Sequence, residues 1–451
     1  MLKNAKTLML VLGLLALLVV ACEQAAPAAE SGSGETMEAA TEEEMMAESV
    51  CNVEAPAEPV ELNLIGWPFD IMDFYTAEIE KCGEVENITI NAQMQDFTAT
   101  KDAFRLAMSG GGESPYDMMH MANTGITEFG SVGWLLPLND LVDKYRDEYD
   151  LDDISATAWA GGTIDGQIYG IPAVGNTLHL AYRSDLFEEA GLEVPETYDD
   201  VIAICEALTD NPDLDVVFTQ DMSAGWAWEL EFLHFIRAHG GDYLNEDSTP
   251  AFNSDAGVAA LTQMKSVVDA CMGPEGLALG YEAAEIAMNT GAQAMVHIWA
   301  SNTVSMFDSE QSDYVDVIKF APAPVAVEGG PRVGSAWNDF YTIPATTAND
   351  PDLIFRILME ALDHESMEGA ADVGIVTRTS ITKGLPNLPA ASETMANGIG
   401  MYSTNPATSL AQAALGNHLP FVGTGEMTPE EALAAAEEEY IAEATAQGYI
   451  E

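Results

Sequence analysis

The chain has 451 residues, 48% of them hydrophobic, which is enough for one large domain or two lobes and excludes a wholly disordered chain. Its 74 acidic residues against 15 Lys and Arg give a formal charge of −59, which repels nucleic acid and anionic lipid surfaces and excludes nucleic acid as a partner. The acid is spread along the whole length, which points to global solvation or salt adaptation rather than to one acidic patch.

In chain order, Lys3 and Lys6 precede an uncharged run from Leu8 to Val20 that has the layout of a secretory signal and is short for a membrane span. It ends in "VVAC", which resembles the bacterial lipobox, so Cys22 is the expected lipidation site and residues 1–21 the expected signal peptide. Residues 22–57 are dominated by Ala, Glu, Ser, Gly, Met and Pro and are expected to form an acidic tether. Removing Cys22 leaves Cys51, Cys82, Cys205 and Cys271, which outside the cytoplasm allow two disulfides in any of three connectivities. Proximity favours Cys51 with Cys82 and Cys205 with Cys271; four free buried thiols are the alternative.

Alternation of Val60, Leu62 and Leu64, and again of Ile88, Ile90, Ala92 and Met94, predicts strands, with a third over 116–122. Helical spacing falls between them, over 69–81 and 100–108. The rhythm continues with a strand over 177–183, and a helix over 185–190 with Asp185 and Glu188 at capping-box spacing and Gly191 at its end. A further helix starts at Thr197 as N-cap and runs through Leu208. Strands are predicted over 215–220, 292–299, 314–324 and 339–345, and helices over 229–239, 254–270 and 352–363. Such alternation argues for parallel α/β sheets, and the length argues for two lobes.

No catalytic constellation emerges. The seven His residues are scattered, and His234 and His239 are five apart, off the spacing that places two ligands on one helical face. No G-x-S-x-G elbow occurs, and "GGG" at 110–112 lacks the Lys of a phosphate loop, so neither metal nor cofactor is expected and no enzyme is predicted. Tryptophan instead recurs just after predicted strands, at Trp67, Trp226, Trp228, Trp299 and Trp337. Strand carboxyl ends face the ligand crevice in α/β sheets, and aromatic faces beside Asn, Asp or Ser suit a solute that is apolar on its ring faces and hydroxylated at its edges. Any single one of these rings fits equally well as a core aromatic anchoring a loop.

The segment "IDGQIYGIPA" (164–173) resembles the "dGkvYGlP" signature of the family 1 extracellular solute-binding proteins of ABC transporters. "GWLLPLNDL" (133–141) precedes it, and "YRSDLFEEAGLEVPETYDDV" (182–201), "GAQAMVHIWAS" and "FYTIPATTANDPDLIFRILMEAL" follow it, all in the family's order, over roughly residues 58 to 425. Arg183, Ser184 and Thr377 depart from the family's usual residues. The resemblance implies an α/β, two-lobed periplasmic-binding-protein fold, type II-like and maltose-binding-protein-like, with a hinge and an interlobe ligand cleft. The lobes are expected at 58–176 plus 338–376 and at 177–337 plus 377–451, with crossings near 174–180, 332–340 and 374–380. It places ligand contacts at Trp299, Trp337, Asn338, Asn176 and Trp226 or Trp228, with Trp67, Asp70, Asn123, Thr124 and Arg378 as further candidates.

The expected function is that of a monomeric, lipid-anchored, extracytoplasmic protein that captures a sugar or oligosaccharide and hands it to the permease subunits of an ABC importer. The same fold taking a polyamine or another small polar solute is the alternative. A secreted glycosidase is a remote one.

Overall fold

The computed structural model describes residues 51–451 apart from Ala224 and 401–404; the expected signal segment, Cys22 and most of the tether lie outside the described residues. Among the described residues eleven strands follow one another: β1 (Val60–Gly66), β2 (Ile88–Met94), β3 (Met118–Ala122), β4 (Thr163–Ile164), β5 (Gln167–Ile168), β6 (Ile171–Asn176), β7 (Leu178–Arg183), β8 (Val216–Gln220), β9 (Gln293–Trp299), β10 (Ile318–Ala321) and β11 (Trp337–Thr342). Two sheets result, one ordered β2-β1-β3-β11-β6 and the other β10-β7-β9-β8, with β4 and β5 as a separate hairpin. Each sheet carries its own hydrophobic core. The first is packed around Leu62, Leu64, Tyr75 and Phe355, the second around Leu180, Phe218, Trp228 and Phe235.

The expectation of parallel sheets is corrected. β1 pairs in parallel with β2 and β3, but β11 runs antiparallel to both β3 and β6, and β7 antiparallel to β9 and β10. The cause is the crossing itself. β6 leaves the first lobe at Asn176 and β7 begins at Leu178, while β11 returns beside β6 with Trp337 opposite Asn176. A strand that re-enters a lobe from the cleft must run against the strand that left it.

Local signals explain most element ends. The helix Tyr198–Leu208 has Thr197 as N-cap, with the reciprocal hydrogen bonds of a capping box to Asp200. The helix Ser184–Ala190 ends at Gly191, whose φ of 66° is the left-handed C-cap that glycine adopts without strain. The capping box expected from Asp185 and Glu188 does not form, because the Asp185 carboxylate is drawn to Arg183 Nε and Nη2 at 2.8 and 2.6 Å. The strand expected over 314–324 shortens to Ile318–Ala321, and the helix expected over 254–270 is α-helical only over Asp255–Val267 before a π turn at Val268–Met272.

Two boundaries also move. Residues 51–57 do not belong to a free tether: Cys51 is bonded to Cys82, Val53 is buried, and the Asn52 amide donates to Glu360 Oε2 at 2.7 Å. The third crossing falls after the expected 374–380, since Thr377 Oγ1 donates to the Pro172 carbonyl and Ser380 Oγ to Asp153 Oδ2, both in the first lobe. By Asn387, whose Nδ2 donates to the Ala300 carbonyl, the chain is in the second lobe. The second disulfide joins Cys205 to Cys271 within that lobe. No helix among the described residues is long and apolar enough to cross a membrane.

Candidate functional site

The crossing strands put their cleft-side ends close together. β1 ends at Gly66, followed by Trp67; β9 ends at Trp299; β6 ends opposite the start of β11. Between the lobes this leaves a cavity of about 200 Å³. The first lobe contributes Trp67, Pro68, Phe69, Phe97 and Asp339, and the second Trp226, Leu230, Trp299, Ser301 and Asn302; Asn176 and Trp337 stand at the crossings. Two further spaces adjoin it. One of about 290 Å³ shares Phe97, Trp226, Leu230 and Trp337, and one of about 470 Å³ shares Pro68, Phe69, Ser301 and Asn302.

The rings touch in an ordered way. Trp67 lies edge-on to Phe97 at 4.9 Å and stacks on His120, with centroids 3.5 Å apart and planes 27° apart. Across the cleft, Trp299 is edge-on to Trp337 at 5.5 Å and to Tyr281 at 6.2 Å, and Tyr281 lies 6.0 Å from Trp226. Edge-to-face contacts hold flat rings at fixed angles while leaving faces open to a solute. The polar groups sit among them. Asn176 Nδ2 donates to Ser301 Oγ at 2.9 Å, and Asn176 Oδ1 accepts from the backbone N–H of Thr177 at 3.0 Å, so a buried amide at the crossing is oriented by the second lobe. Asp339 Oδ1 and His120 Nε2 are 3.0 Å apart.

The ends of the cleft differ in charge. At one, Asp70 faces Glu282 and Glu285; burial raises the Asp70 and Glu285 carboxyls, and Asp70 raises Glu285 further by repulsion. At the other, Glu229 is pushed up to about 7 by burial, with hydrogen bonds from Tyr243 and Gln412 and the charge of Lys101 acting the other way. Lys101 and Arg105 line that end but are paired with Glu128, at 3.6 and 2.6 Å.

Of the residues expected at the site, Trp67, Asn176, Trp226, Trp299 and Trp337 come together in the central cavity, Asp70 lines the acidic end and Thr124 the opposite one. Four do not reach the cleft. Trp228 lies in the second core at 2% exposure with Nε1 donating to the Met222 carbonyl at 2.8 Å; it sits two residues past Trp226 on one helix, so the two rings leave on different faces. Arg378 is buried in the first lobe, where Nη2 donates to the Tyr149 and Leu362 carbonyls and Nη1 to the Asp150 carbonyl. Asn123 and Asn338 meet behind the cleft, the backbone N–H of Asn338 donating to Asn123 Oδ1 at 2.7 Å. Strand alternation was the missed signal: with Trp337 facing the cleft in β11, Asp339 follows on the same face and Asn338 on the other. Phe97, Ser301 and Asn302 were also unforeseen, although "ASN" directly after Trp299 is a polar loop at a strand's carboxyl end.

Two α/β lobes, joined by crossing strands around an aromatic and hydroxyl-bearing cleft, define a hinged binding protein for a small solute. The family described as bacterial extracellular solute-binding protein matches residues 70–362, and the chain belongs to it. A mannitol-binding protein of Pseudomonas aeruginosa is 24% identical over 373 residues, covering 76% of this chain and 83% of that protein. Among solved structures, a solute-binding protein from Agrobacterium radiobacter K84 in complex with ribitol superposes with a TM-score of 0.76 at 23% identity, covering 86% of this chain and 98% of that one. Maltose-bound MalE3 of T. maritima gives 0.73 at 18% identity, covering 85% and 99%. These likenesses establish the two-lobed fold.

Proposed function

We propose that the protein is a monomeric, lipid-anchored extracytoplasmic binding protein that captures one neutral polyhydroxyl solute, a sugar or polyol, between its lobes and delivers it intact to an ABC importer. The observation that carries this reading is the central cavity: Trp67, Trp299 and Trp337 offer ring faces while Asn176, Ser301, Asn302 and Asp339 offer hydrogen-bonding edges. Carbohydrate presents the matching surface, apolar C–H faces rimmed by hydroxyls. Mannitol, ribitol and maltose are bound by the similar proteins, which supports this solute class. The Cys22 thiol and the acidic segment after it support anchoring by lipid. Contacts to both lobes favour the closed state, and the closed shape is what a permease distinguishes from the empty protein.

One observation favours a second reading. Asp70, Glu282 and Glu285 line a space continuous with the aromatic cavity, and carboxylates beside aromatic rings suit a polyamine. A thermal-shift screen against sugars, polyols, polyamines and phosphate esters separates the two, because a solute bound only by the folded state raises the melting temperature. Stabilisation by a sugar or polyol, with the solute recovered unchanged, is expected; stabilisation by spermidine and not by sugars contradicts the polyhydroxyl reading.

A further inference from the structure

Asp339 is only 2% exposed yet lines the central cavity. Its Oδ1 is held by His120 Nε2 at 3.0 Å, and its Oδ2 accepts no hydrogen bond from the described residues. With the carboxylate oxygen as acceptor in this contact, His120 Nε2 is the donor. His120 is itself fixed on every side. Its ring is the stacking partner of Trp67 at 3.5 Å, and Phe69 and Tyr341 lie 5.8 and 6.3 Å away. Its Nδ1 is buried with no hydrogen-bond partner and faces Gly66, where an added Cβ would lie 2.9 Å from His120 Cβ and 3.4 Å from Nδ1. One imidazole therefore ties together three neighbouring strands, β1 through Trp67, β3 through its own backbone, and β11 through Asp339.

We infer that Asp339 is the acceptor that reads a hydroxyl of the solute and that His120 is its positioning residue, setting the aim of the carboxylate through its Nε2 contact. The inference rests on the polyhydroxyl reading above. With Oδ1 occupied from behind, Oδ2 is left to the cavity, and a charged acceptor fixed before the solute arrives binds a hydroxyl more strongly than a mobile or neutral one. The residue types matter separately: phenylalanine at 120 keeps a flat ring under Trp67 but no donor, and glutamine keeps an N–H at the place of Nε2 but no ring.

Titration calorimetry with D-mannitol, ribitol and maltose as probes tests the inference on wild type, Asp339→Asn, His120→Phe, His120→Gln and the Asp339→Asn/His120→Phe double variant. Asp339→Asn is expected to weaken binding about ten- to hundred-fold, the loss of one hydrogen bond to a charged group. His120→Phe should lose about ten-fold, His120→Gln should regain most of that, and His120→Phe should cost less than about two-fold once Asn occupies 339. Full additivity of the two losses, or unchanged affinity in Asp339→Asn, overturns the inference while leaving the polyhydroxyl reading standing. Wild type that binds none of the three probes, nor any other sugar or polyol in the screen, overturns that reading and this inference with it. Should His120→Phe fail to fold, Asp339→Asn and His120→Gln decide the outcome, since loss in the first with retention in the second is expected.

Discussion

The two walls of the cleft use the same residue type in different ways. On the first-lobe wall, Trp67 is backed by a hydrogen-bonded pair, His120 and Asp339, inside a five-stranded sheet. On the second-lobe wall, Tyr281 lies edge-on to Trp299 and tilted against Trp226, and Trp226 is 41% exposed. A hydrogen-bonded pair backs the ring of the first wall before any solute arrives, whereas the rings of the second wall pack on one another and Ser301 is held by Asn176 beside them. The contrast teaches that a hinged protein can anchor one aromatic platform from behind by a hydrogen-bonded pair and seat the other by ring packing, whose geometry tolerates adjustment as the lobes close.

The largest expected effect lies at the root of the second wall. Trp228 lies under that wall, on the helix that presents Trp226, and the backbone of the short helix Pro420–Gly423 packs against its ring so closely that a Cβ at Gly423 would fall 2.4 Å away. Trp228→Ala should lower unfolding free energy by about 3–5 kcal/mol in denaturant titrations. A loss under about 1 kcal/mol would show that packing does not hold this wall.

A smaller effect sharpens the comparison through pH. Glu229, on the same helix, has its carboxyl raised by burial from 4.5 to about 7. A raised carboxyl holds its proton longer in the folded state, so its contribution to stability is fully present below about pH 4.5 and is lost as pH rises to about 7. This amounts to roughly 3 kcal/mol from a shift of that size. Melting curves of Glu229→Gln should lack that decline between pH 4.5 and 7, and an identical pH profile in the two proteins would remove Glu229 as its source.

Much of the architecture was legible because period-two and helical spacing survive in single sequences, as at β2 and at the helix that Thr197 caps. Strand direction was not legible. Nothing in "WNDFYT" marks it as a strand re-entering the first lobe, since alternation reads the same in either direction. The site was legible where tryptophan ends or directly follows a strand, as at Trp299 and Trp67, and misleading where long-range packing decides, as at Trp228 and Arg378. His120 carried no signal, because its role depends on Trp67 and Asp339, residues brought to it by pairing across three strands.

The central claim is that both walls grip one solute between them. Titration calorimetry of wild type, Trp67→Ala, Trp299→Ala and the double variant, using the sugar or polyol that gives the largest thermal shift, tests it most directly. The account predicts one solute per chain, a loss of at least about ten-fold in each single variant, and no measurable binding in the double. Wild-type affinity in the double variant would place the binding site elsewhere and contradict the account.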